Sequence, residues 1–202
     1  MPCLRIVDGC DLLGHADSLA PGLSSLVASP ATVTRDMSDL RADLAANHSS
    51  SKGRAVMAAF RATQAANAPG RPPILGKLAT AAYRLTIDWV LGIDLPPDVQ
   101  VGPGLAIYHG TGLVVHPTTV IGRDVLLRHG ITLGALGDDD ESTGPRLGDR
   151  VSVGAGAIVL GPISIGDDAI IGAGAVVVDD VPAGAVVVGN PARVVRVRDD
   201  VG

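Results

Sequence analysis

The sequence predicts a mainly β protein that folds as a parallel β-helix of hexapeptide repeats, preceded by an N-terminal α-helical region. An aliphatic residue recurs every six residues over most of the second half of the chain, and glycine often follows it. Hydrophobic residues make up 47% of the 202 residues, yet aromatic residues make up only 2%. Small aliphatic side chains stacked in layers are typical of a solenoid core. The repeat units begin at Val101, Ile107, Val115, Ile121, Leu127, Leu133, Leu147, Val153, Val159, Ile165, Ile171 and Val177.

Each six-residue unit of such a fold supplies one short strand and one turn, and three units complete a coil. The aliphatic residue at the first position of the unit points into the prism. Glycine at the second position permits a corner that a Cβ atom would crowd. A low-complexity stretch rich in Ala, Gly and Val would not hold this phase over about twelve units.

The bulk composition limits the classes of partner. A net charge of −5 and only 16 Lys and Arg residues, none in a run, argue against nucleic acid. No apolar stretch is long enough to span a membrane, and three aspartates interrupt any signal-peptide core in the first thirty residues. Cys3 and Cys10 form no metal or disulfide pattern, so a reduced, cytoplasmic protein is expected.

Ahead of the repeat, residues 1–35 mix Pro, Gly, Ser and Asp and are expected to be a loose leader. Residues 36–92 form the predicted helical region, and residues 93–188 form the β-helix. Residues 189–202 are predicted to cap the last coil, whose unpaired strand edge would otherwise favour aggregation.

Three helices are expected in the helical region. The first begins near Met37, the second runs from Gly53 to Asn67, and the third runs from about Leu75 to Leu91. Their few aromatic residues are expected to pack in the core or in an interface. These aromatic residues are Phe60, Tyr83 and Trp89.

The repeat loses its phase twice, and insertions in a repeat tend to collect on a binding face. The step from Ile107 to Val115 is eight residues instead of six. The step from Leu133 to Leu147 is fourteen residues, so that a loop carrying the acidic residues 138–141 is expected to leave the prism.

Counting three units per coil aligns four residues in a column on one side of the prism. They are His109, His129, Ala155 and Ala173, each at the third position of its unit. Neighbouring strands lie about 4.8 Å apart, so two imidazoles should lie one rung apart beside two alanines. The sequence therefore predicts a proton-transferring end to a smooth groove in which a thin ligand contacts backbone amides.

Histidine is well suited to remove a proton from a hydroxyl group near neutral pH, which makes His109 a candidate general base. Asp94 precedes His109 by fifteen residues, close to one coil, and is a candidate to orient its imidazole ring. From the pattern alone, the alternatives stay open that His109 is a surface residue and that Asp94 is a solvated loop residue.

Four segments together resemble the serine O-acetyltransferase family and its hexapeptide-repeat relatives that act in polysaccharide biosynthesis. The resemblance covers roughly residues 75–195. The segments are Ile107-Tyr-His-Gly-Thr-Gly-Leu-Val-Val, Ile131-Thr-Leu-Gly, Val153-Gly-Ala-Gly-Ala-Ile-Val-Leu-Gly-Pro-Ile and Val186-Val-Val-Gly-Asn-Pro-Ala-Arg.

The resemblance implies a left-handed β-helix, a homotrimer or a dimer of trimers with active sites between subunits, and a place in cysteine biosynthesis. It implies acetyl-CoA as a co-substrate, with no permanently bound cofactor and no metal. It also implies that His109 is the general base and Asp94 its orienting acid, and that backbone atoms at Ala155 and Ala173 line the pantetheine groove. Further donor contacts are expected from Gly134 and Arg193.

The chain departs from the serine enzymes at three places. Tyr108 precedes His109 where those enzymes usually have Asp, and Thr143-Gly144-Pro145 aligns with their Arg-His-Pro segment, whose Arg holds the serine carboxylate. Arg146 lies near that segment at a different spacing. The terminal Asp-Asp-Val-Gly lacks the Ile that docks the serine enzymes to the next enzyme of cysteine synthesis, so that complex is not expected.

These departures leave the acceptor open between L-serine and a sugar or nucleotide sugar, with Tyr108 and His129 as candidate acceptor-binding residues. Two other classes remain as alternatives. Three histidines, His109, His116 and His129, match in number the zinc ligands of a hydratase of the γ-carbonic anhydrase kind. His116 precedes Pro117 at a corner, which favours a structural role. A non-catalytic scaffold is the second alternative.

Overall fold

A computed structural model describes residues 37–137 and 143–198 of the chain. The predicted leader, the acidic residues 138–141 and the last four residues lie outside the described residues. Three α-helices come first: α1 (Met37–Ala46), α2 (Ser51–Ala66) and α3 (Pro73–Tyr83). A π-helix, Arg84–Val90, continues α3 up to the first strand. No helix in this part of the chain is both long and apolar enough to cross a membrane.

The helix bounds differ from the predicted ones for local reasons. α2 begins two residues earlier than expected because Ser50 caps it, its Oγ accepting the N–H of Gly53 at 2.9 Å. α3 begins at Pro73, since proline fits the first helical turn, where its missing N–H is not needed. The predicted third helix is not one regular α-helix, because its last two turns adopt the wider π geometry.

Fifteen short strands follow, and the predicted parallel β-helix is confirmed. The strands are β1 (Ile93–Asp94), β2 (Gln100–Val101), β3 (Ala106–Ile107), β4 (Leu113–Val115), β5 (Val120–Ile121), β6 (Leu126–Leu127), β7 (Thr132–Gly134), β8 (Arg146–Leu147), β9 (Ser152–Val153), β10 (Ile158–Leu160), β11 (Ser164–Ile165), β12 (Ile170–Ile171), β13 (Val176–Val177), β14 (Ala185–Val188) and β15 (Arg193–Val197).

Up to β13, every third strand pairs in parallel, which builds three faces of a prism. β14 then pairs in parallel with β12, and β15 pairs antiparallel with β14. The first face has the order β1-β4-β7-β10-β13, the second face β11-β8-β5-β2, and the third face β15-β14-β12-β9-β6-β3. In the regular coils the register advances by 18 residues, as from Val159 to Val177, and in the last coil it advances by 16, as from Ile171 to Val187. The insertion after Ile107 lengthens the first coil, so that Ile107 pairs with Leu127.

The inward positions carry the predicted aliphatic residues, which are almost fully buried. Along the first face, Val115, Leu133, Val159 and Val177 stack in register at 2% exposure or less. Each such side chain contributes about 1.5–3 kcal/mol through burial. The second-position glycines are needed for close stacking of the coils. A Cβ atom at Gly122 would lie 2.4 Å from the carbonyl oxygen of Gly148 in the next coil.

The helices cover the open edge of the first coil by donating to and accepting from its backbone. Asn47 Oδ1 accepts from Ile107 N at 2.8 Å, and Asn47 Nδ2 donates to Leu105 O at 2.7 Å. Arg61 donates to Val101 O at 3.0 Å and to Gly102 O at 2.9 Å. Because these groups satisfy the edge, the first coil presents no free strand at this point.

A buried ion pair anchors this arrangement. Asp43 Oδ2 lies 2.8 Å from Arg61 Nε, and the two side chains are 0% and 7% exposed. Asp43 also accepts the backbone N–H groups of Gly104 and Leu105 at 2.8 and 3.0 Å. Burial raises the pKa of Asp43, although Arg61 and both amides act in the opposite direction.

The helical region also holds the buried aromatic rings. Phe60 and Tyr83 lie in the core with ring centroids 6.4 Å apart, and the Tyr83 hydroxyl donates to Leu95 O at 2.9 Å. Burial raises the pKa of Tyr83, and the negative charges of Asp88 and Asp94 raise it further. Trp89, by contrast, is 85% exposed. At the other end, β15 folds back antiparallel on β14, the last strand of the third face to join it in parallel.

Candidate active site

The predicted column lies at the corner between the third and the first face, which we call the histidine corner: His109, His129, Ala155 and Ala173. The third-face register pairs Ile107 with Leu127, Leu126 with Ser152, and Ser152 with Ile170. His109, His129, Ala155 and Ala173 therefore occupy equivalent positions, each two residues after the end of a third-face strand. The rings of His109 and His129 lie edge to face, with centroids 6.1 Å apart and planes 74° apart.

The eight-residue step displaces His109 from the backbone ladder. Gly156 N donates to His129 O and Gly174 N donates to Ala155 O, whereas Gly130 N donates to Thr111 O, at 2.9–3.0 Å in all three cases. Thr111 thus takes the ladder position in the first coil. His109, in the left-handed region with φ 67°, lies on a loop outside the ladder and is exposed. The insertion presents this imidazole to solvent at the end of the groove.

Asp94 lies on β1, exposed, opposite Val114 one coil later. It is two residues beyond Gly92, whose carbonyl accepts from Gly112 N at 2.7 Å at the same corner. In the described part of the chain, no hydrogen bond or ion pair joins Asp94 to His109. Its charge acts on Asp88, where burial first and Asp94 second raise the pKa of the Asp88 carboxyl. The role of Asp94 stays a prediction.

Tyr108 is half-buried beside His109, and its hydroxyl accepts from Ser49 Oγ at 3.5 Å. Tyr108 and His109 line a cleft of about 420 Å³ together with the N-terminal turn of α2. No lining residue is acidic, one is cationic, and five carry hydroxyl groups. The lining residues are Ser49, Ser50, Ser51, Lys52, Tyr108, His109 and Thr111.

Sequence reasoning missed the contribution of α2 to this cleft. The helix was predicted to begin at Gly53, so Ser51 and Lys52 lay outside it. The signal that finds them is the capping residue Ser50, followed three residues later by a Gly whose N–H it accepts.

The predicted donor-binding residues divide into two groups. Ala155 and Ala173 lie on the histidine corner, and the tail brings Arg193 to its far end, because Arg193 pairs with Val188 beyond the last coil. Arg193 is exposed, and its Nη1 lies 3.9 Å from Asp179 Oδ2. Gly134, however, ends β7 at the opposite side of the first face, where Gly161 N donates to its carbonyl at 3.0 Å. The structure does not bring Gly134 to the column.

Two further residues lie away from the histidine corner. His116 occupies the next corner, where its Nδ1 lies 2.9 Å from Thr118 Oγ1, and Thr118 Oγ1 accepts from Gly144 N at 2.8 Å. Arg146 lies exposed on β8 of the second face, which does not border the histidine corner within one chain. Among the described residues, no three His, Cys, Asp or Glu side chains cluster as metal ligands would.

Comparisons with known proteins agree with this fold. Residues 144–179 match the family model described as bacterial transferase hexapeptide (six repeats). A soybean serine acetyltransferase apoenzyme structure is 37% identical, with a TM-score of 0.70, over 79% of this chain and 70% of that chain. The chain belongs to the serine acetyltransferase family.

Curated members of the family match over part of their length. Serine acetyltransferase from Helicobacter pylori (strain ATCC 700392 / 26695) is 49% identical over 53% of this chain and 63% of the relative. The enzyme from Mycobacterium tuberculosis (strain ATCC 25618 / H37Rv) is 48% identical over 58% of this chain and 51% of the relative. Plant members are matched over a smaller share, such as 38% of serine acetyltransferase 2 from Arabidopsis thaliana, so the chain spans between about one third and two thirds of the length of the curated relatives it matches.

Proposed function

We propose that the protein transfers an acetyl group from acetyl-CoA to the hydroxyl group of an acceptor, in the manner of the serine acetyltransferases. One observation carries the proposal: an exposed imidazole, His109, lies at the end of a corner that continues as a smooth column of alanines and glycines. Such a corner leaves room for a thin thioester arm along the backbone, with a proton acceptor at its reactive end.

In this mechanism His109 accepts the proton of the acceptor hydroxyl as its oxygen attacks the thioester carbonyl carbon. A tetrahedral intermediate forms, and backbone N–H groups of the corner are suited to stabilise its oxyanion. The carbon–sulfur bond then breaks, and the imidazolium returns the proton to the CoA thiolate. The products are the O-acetylated acceptor and CoA. In this proposal Asp94 orients His109, and Ala155 and Ala173 contact the pantetheine arm.

L-Serine is the acceptor that family membership favours, since a soybean relative with a TM-score of 0.69 is described as complexed with serine. That acceptor would place the protein in cysteine biosynthesis.

A sugar hydroxyl is the second candidate, and the lining of the cleft favours it. An amino acid brings an ammonium group, which proteins usually pair with a carboxylate, and none of the seven lining residues is acidic. Five hydroxyl groups and one ammonium group are better suited to a polyhydroxylated acceptor.

We also propose that the working protein is a trimer, with acetyl-CoA bound between subunits. Support comes from exposed apolar side chains on the first face and just beyond it, including Val114 at 42% exposure and Leu136 at 54%. Exposed apolar residues gathered on one surface often mark an interface. Light scattering on the full chain would give the mass of the assembly.

The deciding experiment measures thiol release from acetyl-CoA with L-serine, free sugars and nucleotide sugars as separate acceptors. Thiol release that depends on serine would support L-serine as the acceptor. It would also show that the reaction does not need the Arg-His pair of the serine enzymes, which Thr143 and Gly144 replace in this chain. Release with a sugar alone would assign the hydroxyl-lined cleft to that acceptor. If no acceptor stimulates release and acetyl-CoA does not bind, the proposed function is wrong and the scaffold alternative gains support.

A further inference from the structure

Lys52, in the first turn of α2, contacts the loop that carries His109. Its Nζ donates to Thr111 Oγ1 at 2.7 Å and to Leu91 O at 3.3 Å. Lys52 is half-buried, although lysine usually extends into solvent. Two of its three ammonium protons are thus committed to residues 39 and 59 positions away in sequence.

The loop needs such support because of its backbone conformation. His109 and Gly110 both lie in the left-handed region, with φ 67° and 55°. A non-glycine residue in this region costs about 1–2 kcal/mol and persists only where its surroundings hold it. Thr111 folds back on His109: Thr111 N donates to His109 O at 2.7 Å, and its Oγ1 lies 3.4 Å from the same oxygen.

These contacts form a relay of hydrogen bonds. The Lys52 ammonium donates to Thr111 Oγ1, and the Thr111 hydroxyl in turn donates to the carbonyl oxygen of His109. A charged donor at the head of such a chain polarises the bonds that follow. Lys52 therefore acts on the backbone of His109 through Thr111 without touching its imidazole ring.

The other end of the loop, before His109, is held by the segment that connects α1 to α2. Ile107 N donates to Asn47 Oδ1 at 2.8 Å, and Ile107 O accepts from Ser50 Oγ at 3.3 Å. The connection between α1 and α2 thus contacts the chain two residues before His109, and the first turn of α2 contacts it two residues after His109. The helices cap the first coil and also hold the loop of the candidate base.

We propose that Lys52 is a positioning residue, which sets the location of His109 relative to the acceptor hydroxyl through its hydrogen bond to Thr111. This inference rests on the proposed function of His109 as general base. It assigns the helical region a part in the reaction, since removal of one ammonium group on α2 would loosen the loop on the β-helix.

The test compares Lys52→Met, Lys52→Arg, Thr111→Val and the double variant Lys52→Met/Thr111→Val with the wild-type chain. Lys77→Met is the matched control, because Lys77 is an exposed lysine on α3 outside this cleft. With an acceptor that supports thiol release, Lys52→Met should lower kcat by about 10- to 100-fold, since a misplacement of 1 Å can cost about 100-fold. The KM for acetyl-CoA should stay within about twofold of wild type.

Further expectations separate positioning from simple support of the fold. Lys52→Arg should recover most of the lost kcat, Thr111→Val should lose about as much as Lys52→Met, and the double variant should be no worse than either single variant. All variants should unfold near the wild-type temperature. The proposal is overturned if kcat of Lys52→Met equals that of Lys77→Met, or if the losses of the two single variants multiply.

A second readout keeps the proposal separate from the proposed function. Histidine ¹³C–¹H NMR, with His109 assigned through a His109→Asn variant, reports the ring environment without any turnover. Lys52→Met should shift the His109 and His129 signals, whose rings are in contact, and leave those of His48 and His116 unchanged. If the wild-type chain releases no thiol, the proposed function fails, and unshifted His109 and His129 signals would then refute positioning by Lys52 as well.

Discussion

Two corners of the β-helix solve the same backbone problem with different residues. At the histidine corner, the left-handed positions of the later coils are glycines, with φ 67°, 69° and 67° at Gly130, Gly156 and Gly174. At the corner between the second and third faces, which we call the charged corner, Asp124, Arg150 and Asp168 take this conformation with φ 54°, 57° and 59°.

Side chains at the charged corner bond to one another across coils. Arg150 Nε lies 2.8 Å from Asp168 Oδ1, and Arg150 Nη2 lies 2.6 Å from Asp168 Oδ2. At the histidine corner, a Cβ atom added to Gly156 or Gly174 would meet no atom within 4 Å. The charged corner is therefore closed by its own contacts, whereas the histidine corner keeps a bare surface of the kind a ligand needs.

The largest difference in turnover is expected when a residue in the left-handed conformation is replaced at each of the two corners. His109→Asn preserves the backbone, because asparagine tolerates this conformation, but removes the base. We expect turnover to fall by about 10²- to 10⁴-fold while acetyl-CoA still binds, as measured by thiol release and calorimetry. Asp124→Asn at the charged corner is the matched control and should keep wild-type turnover. Equal turnover in the two variants would remove His109 from the mechanism.

A smaller effect on the reaction is expected when a methyl group is added to the bare surface of the histidine corner. Gly156→Ala should cost about 1–2 kcal/mol of folding free energy because of its φ of 69°. The added methyl group projects into open space, so the KM for acetyl-CoA should rise by about tenfold, equivalent to about 1.4 kcal/mol.

Gly184→Ala at the charged corner, with φ 68°, carries the same backbone penalty away from the groove. Its thermal stability should fall, as should that of Gly156→Ala, while its KM should not change. A raised KM in both variants would mean that stability, and not the groove, controls donor binding.

The smallest effect is expected for the ion pair that closes the charged corner. The hydrogen bonds from Arg150 hold the pKa of Asp168 below its ordinary value, so the pair stabilises the fold above about pH 4 and loses this contribution as pH falls through the lowered pKa. Arg150→Gln should lower the melting temperature slightly at pH 7 and less at pH 3. Arg123→Gln, at the same corner, is the control. A deficit that grows on acidification would contradict the assignment.

The repeat could be read from the sequence because its signal is local. Every aliphatic first position, such as Ile121 or Val153, is buried within its short strand. The count of three units per coil then aligned His129 with Ala155 and Ala173 without any tertiary information.

The rest depended on contacts between distant residues. The two-residue insertion was visible in the sequence. Its effect on His109 was not, because it depends on the hydrogen bond from Gly130 N to Thr111 O, which places Thr111 in the backbone ladder. The hydrogen bonds from Ser50 to Ile107 and from Lys52 to Thr111 join residues more than fifty positions apart. The donor contact of Gly134 came from resemblance to a short motif and stays a prediction; β7 carries this residue to the other side of the first face.

A stack of parallel coils has no intrinsic end, because each new coil offers the next one the same edge. Here Asn47 and Arg61 close one edge and the antiparallel β15 closes the other, so the number of coils is fixed. Positions along the histidine corner are consequently separated by the spacing of the coils, about 4.8 Å. A chain with one more coil inserted after His129 would place His109 one coil spacing farther from Ala173, and would suit a donor with a correspondingly longer arm.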